Sequence, residues 1–314
     1  MRRLLLKILV FAMLVVVGDM AIGAVFGYIT NNIRTGGQGR DNYISNECAD
    51  DVLVFGSSRA LHHYDTEVLA DSFGLSTYNC GDDGCGILLS YARLKMITER
   101  HRPKYIIMDV APKYDLLPGY NSTQLKWLKN RYDREGIPEL FQDVDEKNRF
   151  KMLSSAYKYN STFIKSAFVY LTGISEEKNI RGFTPLHSKK MRPVNKLEEK
   201  GEDSIEYDDV KLKYLDKFID LAKGSQLYFA KSPVWYKSDA AKLREVEILK
   251  ERCEREGIPF FDFTNHPKYM HVDKYFADGK HMNATGAREF TKDLYTTIKE
   301  YEASKSDSTV SSQR

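Results

Sequence analysis

Asp278 and His281 stand three residues apart in the segment Phe276-Ala277-Asp278-Gly279-Lys280-His281-Met282-Asn283-Ala284-Thr285-Gly286. A carboxylate and an imidazole at that spacing fit on one turn, so a single rigid segment can deliver a general base and the group that orients it. Such a base needs a nucleophile, and the chain supplies one early. Asp51-Val52-Leu53-Val54-Phe55-Gly56-Ser57-Ser58-Arg59 reads as a short buried strand running into a glycine and two serines. A serine hydroxyl is a poor nucleophile until a base removes its proton. His281 would take that proton while Asp278 fixes the imidazole tautomer. A serine at a helix N-terminus also gains from the dipole, which favours negative charge developing nearby. The chemistry this constellation suits is acyl transfer.

Each of these residues also has a plainer use. Ser57 and Ser58 are good helix caps, and Asp278 could cap the last helix. Gly81 and Gly84 could serve only to allow positive φ in a tight turn. Arg59 could meet an anionic substrate or a structural partner. Asp109 and Asp115 follow a strand, where both catalytic carboxylates and turn residues occur. His62-His63 and the pair His266/His271 have no carboxylate or cysteine at a recognisable ligand spacing, so no metal site is expected. No cofactor is expected either.

The elements that must position these groups alternate. Val52–Phe55, Ser76–Asn79, Tyr105–Val110, Gln226–Ala230 and Pro259–Phe263 read as strands. Helical patterns lie at about Asp65–Phe73, Ile87–Arg100, Val210–Ala222, Ala240–Glu256 and Thr285–Tyr301. In the last, Ala287, Phe290, Leu294, Ile298 and Tyr301 share one face. Strands alternating with helices imply an α/β fold, a parallel five-stranded sheet covered on both faces, which binds ligands at the carboxyl ends of its strands. Gly56-Ser57-Ser58 and Gly81–Gly84 fall at such ends. From Pro112 to about Ser204 the alternation fails. Residues 112–204 read as an insertion over the strand ends, placed to grip substrate, with weak helical patterns near Ser122–Tyr132 and Lys151–Leu171. The charged run Ser188–Asp203 reads as a solvated loop.

The N-terminus has a different character. Met1-Arg2-Arg3 precedes an apolar stretch from Leu4 to Ile29, broken by Lys7 and Asp19. From Ile8 to Ile29 it can cross a hydrocarbon core of about 30 Å, and Arg2, Arg3 and Lys7 favour a cytoplasmic N-terminus. Residues 1–30 therefore read as a membrane anchor. Asp19 opposes this, since a carboxylate at mid-span costs roughly 2.5–3.5 kcal/mol on insertion scales. A cleaved signal peptide with its apolar region at Ile8–Val17 is the alternative. Either way the domain is exported. Residues 31–45, glycine-bearing and polar, read as a linker, 46–303 as the catalytic domain and 304–314 as a disordered tail.

Composition excludes some classes of function. A net charge of +3, from 47 basic and 44 acidic residues, is too balanced to argue for nucleic acid. Four cysteines (Cys48, Cys80, Cys85, Cys253) permit up to two disulfides, with buried free thiols the default.

The ordered motifs resemble those of the SGNH/GDSL hydrolase and acyltransferase superfamily. Gly56-Ser57-Ser58-Arg59 is similar to its first block, Gly-Asp-Ser, with Ser58 as nucleophile. Asn79-Cys80-Gly81-Asp82-Asp83-Gly84 resembles the second, whose final glycine lends its N–H to the oxyanion hole. Asp278-Gly279-Lys280-His281 resembles the fifth, Asp-x-x-His. The third, Gly-x-Asn-Asp, is replaced by Ile106-Ile107-Met108-Asp109-Val110-Ala111-Pro112. The resemblance covers residues 50–112 and 205–302. It implies a flavodoxin-like fold, Ser58, Asp278 and His281 as catalytic residues, and the N–H groups of Ser58 and Gly84 as oxyanion donors. The implied activity is transfer or removal of an acyl group, O-acetyl above all, on a cell-envelope glycan. The implied partners are an acylated glycan or acyl donor and a membrane-embedded partner that supplies it. A non-catalytic surface or assembly protein on the same fold is the alternative, suggested by the missing third block.

Overall fold

The computed structural model describes residues 1–160, 163–175, 179–188, 190–193 and 204–311. Its five strands, β1 (Val52–Gly56), β2 (Thr77–Asn79), β3 (Tyr105–Asp109), β4 (Gln226–Lys231) and β5 (Phe260–Asp262), lie within about a residue of their expected positions. They form one parallel sheet in the order β2-β1-β3-β4-β5. After β1 the chain moves outward to β2, then returns to the far side of β1 with β3. The loops leaving β1 and β3 therefore diverge over a crevice. Register sets Gly56 level with Asp109, and Asp109 level with Ala230, so the strands end together at that crevice.

Strand period decides which helix covers which face. Leu53, Phe55, Ile106, Met108, Leu227 and Phe229 point to one side, into a core shared with α5 (Ile87–Thr98), α11 (Asp209–Leu221) and α13 (Glu247–Glu256). Val52, Val54, Ile107, Tyr228 and Ala230 point to the other, where α3 (Ser58–His63), α4 (Thr66–Phe73) and α14 (Ala284–Ser311) pack. α14 buries Ala287, Phe290, Leu294 and Ile298 completely. The helix expected over Ala240–Glu256 is divided into α12 (Ala240–Arg244) and α13, and Val246 at the break turns into the core.

Three expectations are corrected. Residues 31–45 are not a linker: α2 (Gly36–Asn46) occupies most of them. Its polar side chains are buried against polar partners rather than solvated. Arg40 reaches Asp82 at 2.7 Å, Asp41 pairs with Arg93, and Asn42 donates to the carbonyls of Thr30 and Ile33 at 2.8 and 2.9 Å. The tail expected to be disordered from Ser304 continues α14 as far as Ser311, because a helix nucleated on a buried face propagates at little cost. Residues 112–204 do not merely lie over the strand ends. This segment holds α6 (Pro112–Asp115), α7 (Asn121–Leu125), α8 (Ile137–Val144), α9 (Asn148–Lys151) and α10 (Phe163–Thr172). Leu125, Leu128, Ile137, Leu140, Phe141 and Met152 are buried in the same core as α5 and α11. Most of the charged run at Ser188–Asp203 falls outside the described residues.

α1 (Arg2–Asn31) is long and apolar enough to cross a membrane. Its second half packs on the insertion: Phe26 stacks on Phe163, and Ser155 and Tyr159 sit against Gly23 and Gly27. Asp19, the residue that opposed a spanning helix, accepts hydrogen bonds from Ser154 Oγ (2.5 Å) and from the amides of Ser155 (2.6 Å) and Ala156 (3.2 Å). These donors offset part of the cost of a carboxylate in an apolar helix.

Candidate active site

Ser58 sits where β1 breaks into α3. The break requires glycine: Gly56 has φ 135°, and a Cβ there would lie 2.4 Å from the Asp109 carbonyl oxygen. Ser57 is extended, buried and makes no side-chain cap. Ser58 begins the helix with its Oγ 2.9 Å from His281 Nε2. Of the two serines, Ser58 is the one in contact with the histidine.

His281 is delivered by a short closed loop rather than by the helix itself. Phe276 bridges Met282, and the Ala277 N–H donates to the His281 carbonyl at 2.8 Å. Inside this loop Asp278 Oδ1 accepts from the amides of Lys280 and His281, both at 2.9 Å, and its two oxygens lie 3.0 and 3.1 Å from His281 Nδ1. The cap of α14 is Asn283, whose Oδ1 accepts from the Gly286 N–H at 3.0 Å. Asp278 is therefore not the helix cap. Partial burial pushes the Asp278 carboxyl upward, but the hydrogen bonds from His281 and from the Lys280 and His281 amides outweigh it and hold it well below the usual carboxylate range. An ionised Asp278 only accepts, so Nδ1 carries the proton and Nε2 is left to accept from the Ser58 hydroxyl.

Two supports were not read from the sequence. His63 is fully buried; its Nε2 accepts from the Met282 N–H at 3.0 Å, so its Nδ1–H points at Ser232 Oγ, 3.0 Å away. It thereby fixes the residue after the general base. Burial, with the nearby His281 and Arg59 acting the same way, holds it well below the usual histidine range and keeps it neutral. Arg192, from the insertion, donates its amide to the Ala277 carbonyl at 2.8 Å and its guanidinium to Asp278 Oδ2 at 2.9 Å. His62 points elsewhere, toward the Thr184 carbonyl (2.7 Å) and Asp83 (3.2 Å).

The loop after β2 is held by buried charge. Asp82 takes Arg40 at 2.7 Å and Arg93 at 2.6 Å, and Asn79 ties the loop to α3 by donating to the Ala60 carbonyl and accepting from the Gly81 N–H. Gly84 has φ 66°, and among the described residues its N–H donates to no protein acceptor. Arg59 is buried and structurally engaged: it bonds the Val110 and Ser232 carbonyls and pairs with Asp109 at 3.4 Å. Just beyond the end of β3, the Ala111 N–H is already taken by Asp115 at 2.6 Å. Burial lifts the Asp115 carboxyl to about 7.

A cavity of about 160 Å³ opens beside Ser58 and His281, walled by Arg59, Ala111, Tyr114, Lys231, Tyr236 and Thr264 among others. Gly84 does not line it. Lys231 closes a strand whose buried stretch, residues 227–230, is apolar, and a charged residue at a strand's carboxyl end is the one local signal of it. The four cysteines are free and buried. Compared with known proteins, the chain matches no family model and no curated protein.

Proposed function

We propose that the chain is a serine-dependent acyl-transfer enzyme, an esterase or O-acyltransferase of the SGNH/GDSL type acting on O-acetyl groups of a cell-envelope glycan. One observation carries this reading. Ser58 Oγ, His281 Nε2, His281 Nδ1 and Asp278 form one hydrogen-bonded line between residues 223 positions apart in the chain. His281 takes the Ser58 proton as Oγ attacks the acyl carbonyl, and the Ser58 N–H stabilises the oxyanion; the resemblance adds the Gly84 N–H as a second donor, although Gly84 does not line the cavity. His281 then protonates the leaving alcohol. Water or a sugar hydroxyl, deprotonated by His281, attacks the acyl-serine; as the Ser58 Oγ–acyl bond breaks, His281 returns that proton to Oγ. The strand order 2-1-3-4-5 is that of flavodoxin-like folds, which supports the superfamily reading.

The glycan assignment rests on the resemblance of an anchored Gly-Ser-Ser arrangement to proteins that modify envelope polymers. In this reading α1 is a single-pass anchor with Arg2, Arg3 and Lys7 on the cytoplasmic side, and the domain faces outward. The competing reading, a non-catalytic protein on the same fold, is favoured by the missing third block and by the engagement of the Ala111 N–H.

Incubating the full-length chain with an activated acetyl ester, with and without glycan acceptors, separates the two. The enzyme reading expects an acetyl adduct on the Ser58 peptide and acetate or acetylated glycan as product. Absence of both leaves the non-catalytic reading.

A further inference from the structure

The cavity beside Ser58 is lined by a buried lysine whose ammonium makes no ion pair or hydrogen bond among the described residues. Lys231, at the end of β4, is 3% exposed, and among the described residues its Nζ has no hydrogen-bond partner. Thr264 lines the same cavity, is equally buried, and its Oγ1 is also unpaired. Among the described residues no acidic side chain lines this cavity. Lys242, on its wall, is already held by Glu245 at 2.9 Å.

An unpaired ammonium away from water is costly, and the surrounding charges do not remove the cost. Burial is the main effect and lowers Lys231 to about 8; Asp262 of β5 and Glu245 pull it upward, while Arg59 and Lys242 repel it. Neither acid forms an ion pair with it among the described residues. Two buried donors without hydrogen-bond partners, on residues that line a cavity shared with a nucleophile and its base, are the arrangement expected where a ligand supplies the missing acceptor.

We propose that this cavity is an anion subsite, in which Lys231 Nζ and Thr264 Oγ1 bind a carboxylate or phosphate carried by the glycan close to the ester that reacts at Ser58. The proposal rests on the serine chemistry above for its biological meaning and narrows the substrate class to acidic glycans. Carboxylate and phosphate share the needed chemistry, an oxyanion small enough to enter beside the triad.

The test uses full-length Ser58→Ala protein in detergent, so that binding is read without turnover. Glucuronate, glucose 6-phosphate and glucose are titrated calorimetrically. At least one acidic sugar should bind tenfold or more tightly than glucose, and which one does so identifies the anion. In Ser58→Ala/Lys231→Met that advantage should fall below threefold. The added Lys231→Met change should leave the melting temperature equal or higher, because it removes an unpaired charge. Thr264→Val should weaken the acidic sugar severalfold relative to glucose. Equal binding of all three sugars, an anion preference that survives Lys231→Met, or a lowered melting temperature would each overturn the subsite. The reading on Ser58 is tested separately by covalent labelling of the wild type, so its failure would leave the binding result intact.

Discussion

The two sides of Ser58 are built differently. Toward His281 the polar groups are paired: Asp278 takes Arg192, two amides and the imidazole, and His63 takes Met282 and Ser232. Toward the cavity, Lys231 Nζ and Thr264 Oγ1 are buried with no hydrogen-bond partner among the described residues. Complete pairing holds a geometry fixed, as a proton relay requires. Unpaired donors store affinity for something that arrives. The contrast suggests that loss on the first side should damage rate, and loss on the second should damage selection.

The largest effects should come from the paired side. Ser58→Ala or His281→Ala should each lower kcat by roughly 10⁴–10⁶, and the double change should cost little more, because the two act as a unit. Asp278→Asn should cost on the order of 10⁴, since an amide can donate to Nδ1 and hold the wrong tautomer. Single-turnover kinetics on an activated ester check all three. A double mutant that loses the product of the single losses would separate Ser58 from His281.

On the unpaired side the effect should depend on pH. Only the ammonium form of Lys231 attracts an anion, and its pKa is lowered to about 8. Glucuronate stays ionised across this range, so its binding advantage over glucose should persist below about pH 8 and decline above it. A flat profile from pH 6 to 10 would remove Lys231 from recognition.

The smallest effect should come from Arg192, which touches the triad but is largely exposed. An exposed ion pair is worth about 0.2–1 kcal/mol, so Arg192→Ala should lower kcat/KM by no more than about fivefold. A loss of a hundredfold would make the insertion part of the proton relay.

Much of this architecture was legible because strands announce themselves locally. Val52–Gly56 and Tyr105–Asp109 are β-branched and aromatic runs bounded by turn residues. Ser58 was legible because its motif follows β1, and His281 because an acid three residues before it fits on one turn just ahead of α14. The misread regions share one cause, which is tertiary partners invisible to a local pattern. α2 is rich in glycine and polar residues because it packs on Arg93 and Asp82 rather than on water. The insertion contributes Leu140 and Phe141 to a core whose other half lies in α5 and α11. For the same reason its replacement by a short linker should unfold the domain, which circular dichroism would show. His63 gave no motif, since its role depends on Met282, and Lys231 offered only a charge at a strand end, whose role depends on a cavity walled by several elements.

Labelling with a fluorophosphonate probe, followed by peptide mapping, tests the central claim most directly. Wild-type protein should carry the adduct on Ser58, the adduct should vanish in Ser58→Ala, and its formation should slow sharply in His281→Ala. No adduct, or an adduct on another serine with Ser58 unmodified, would contradict the assignment of Ser58 as the nucleophile.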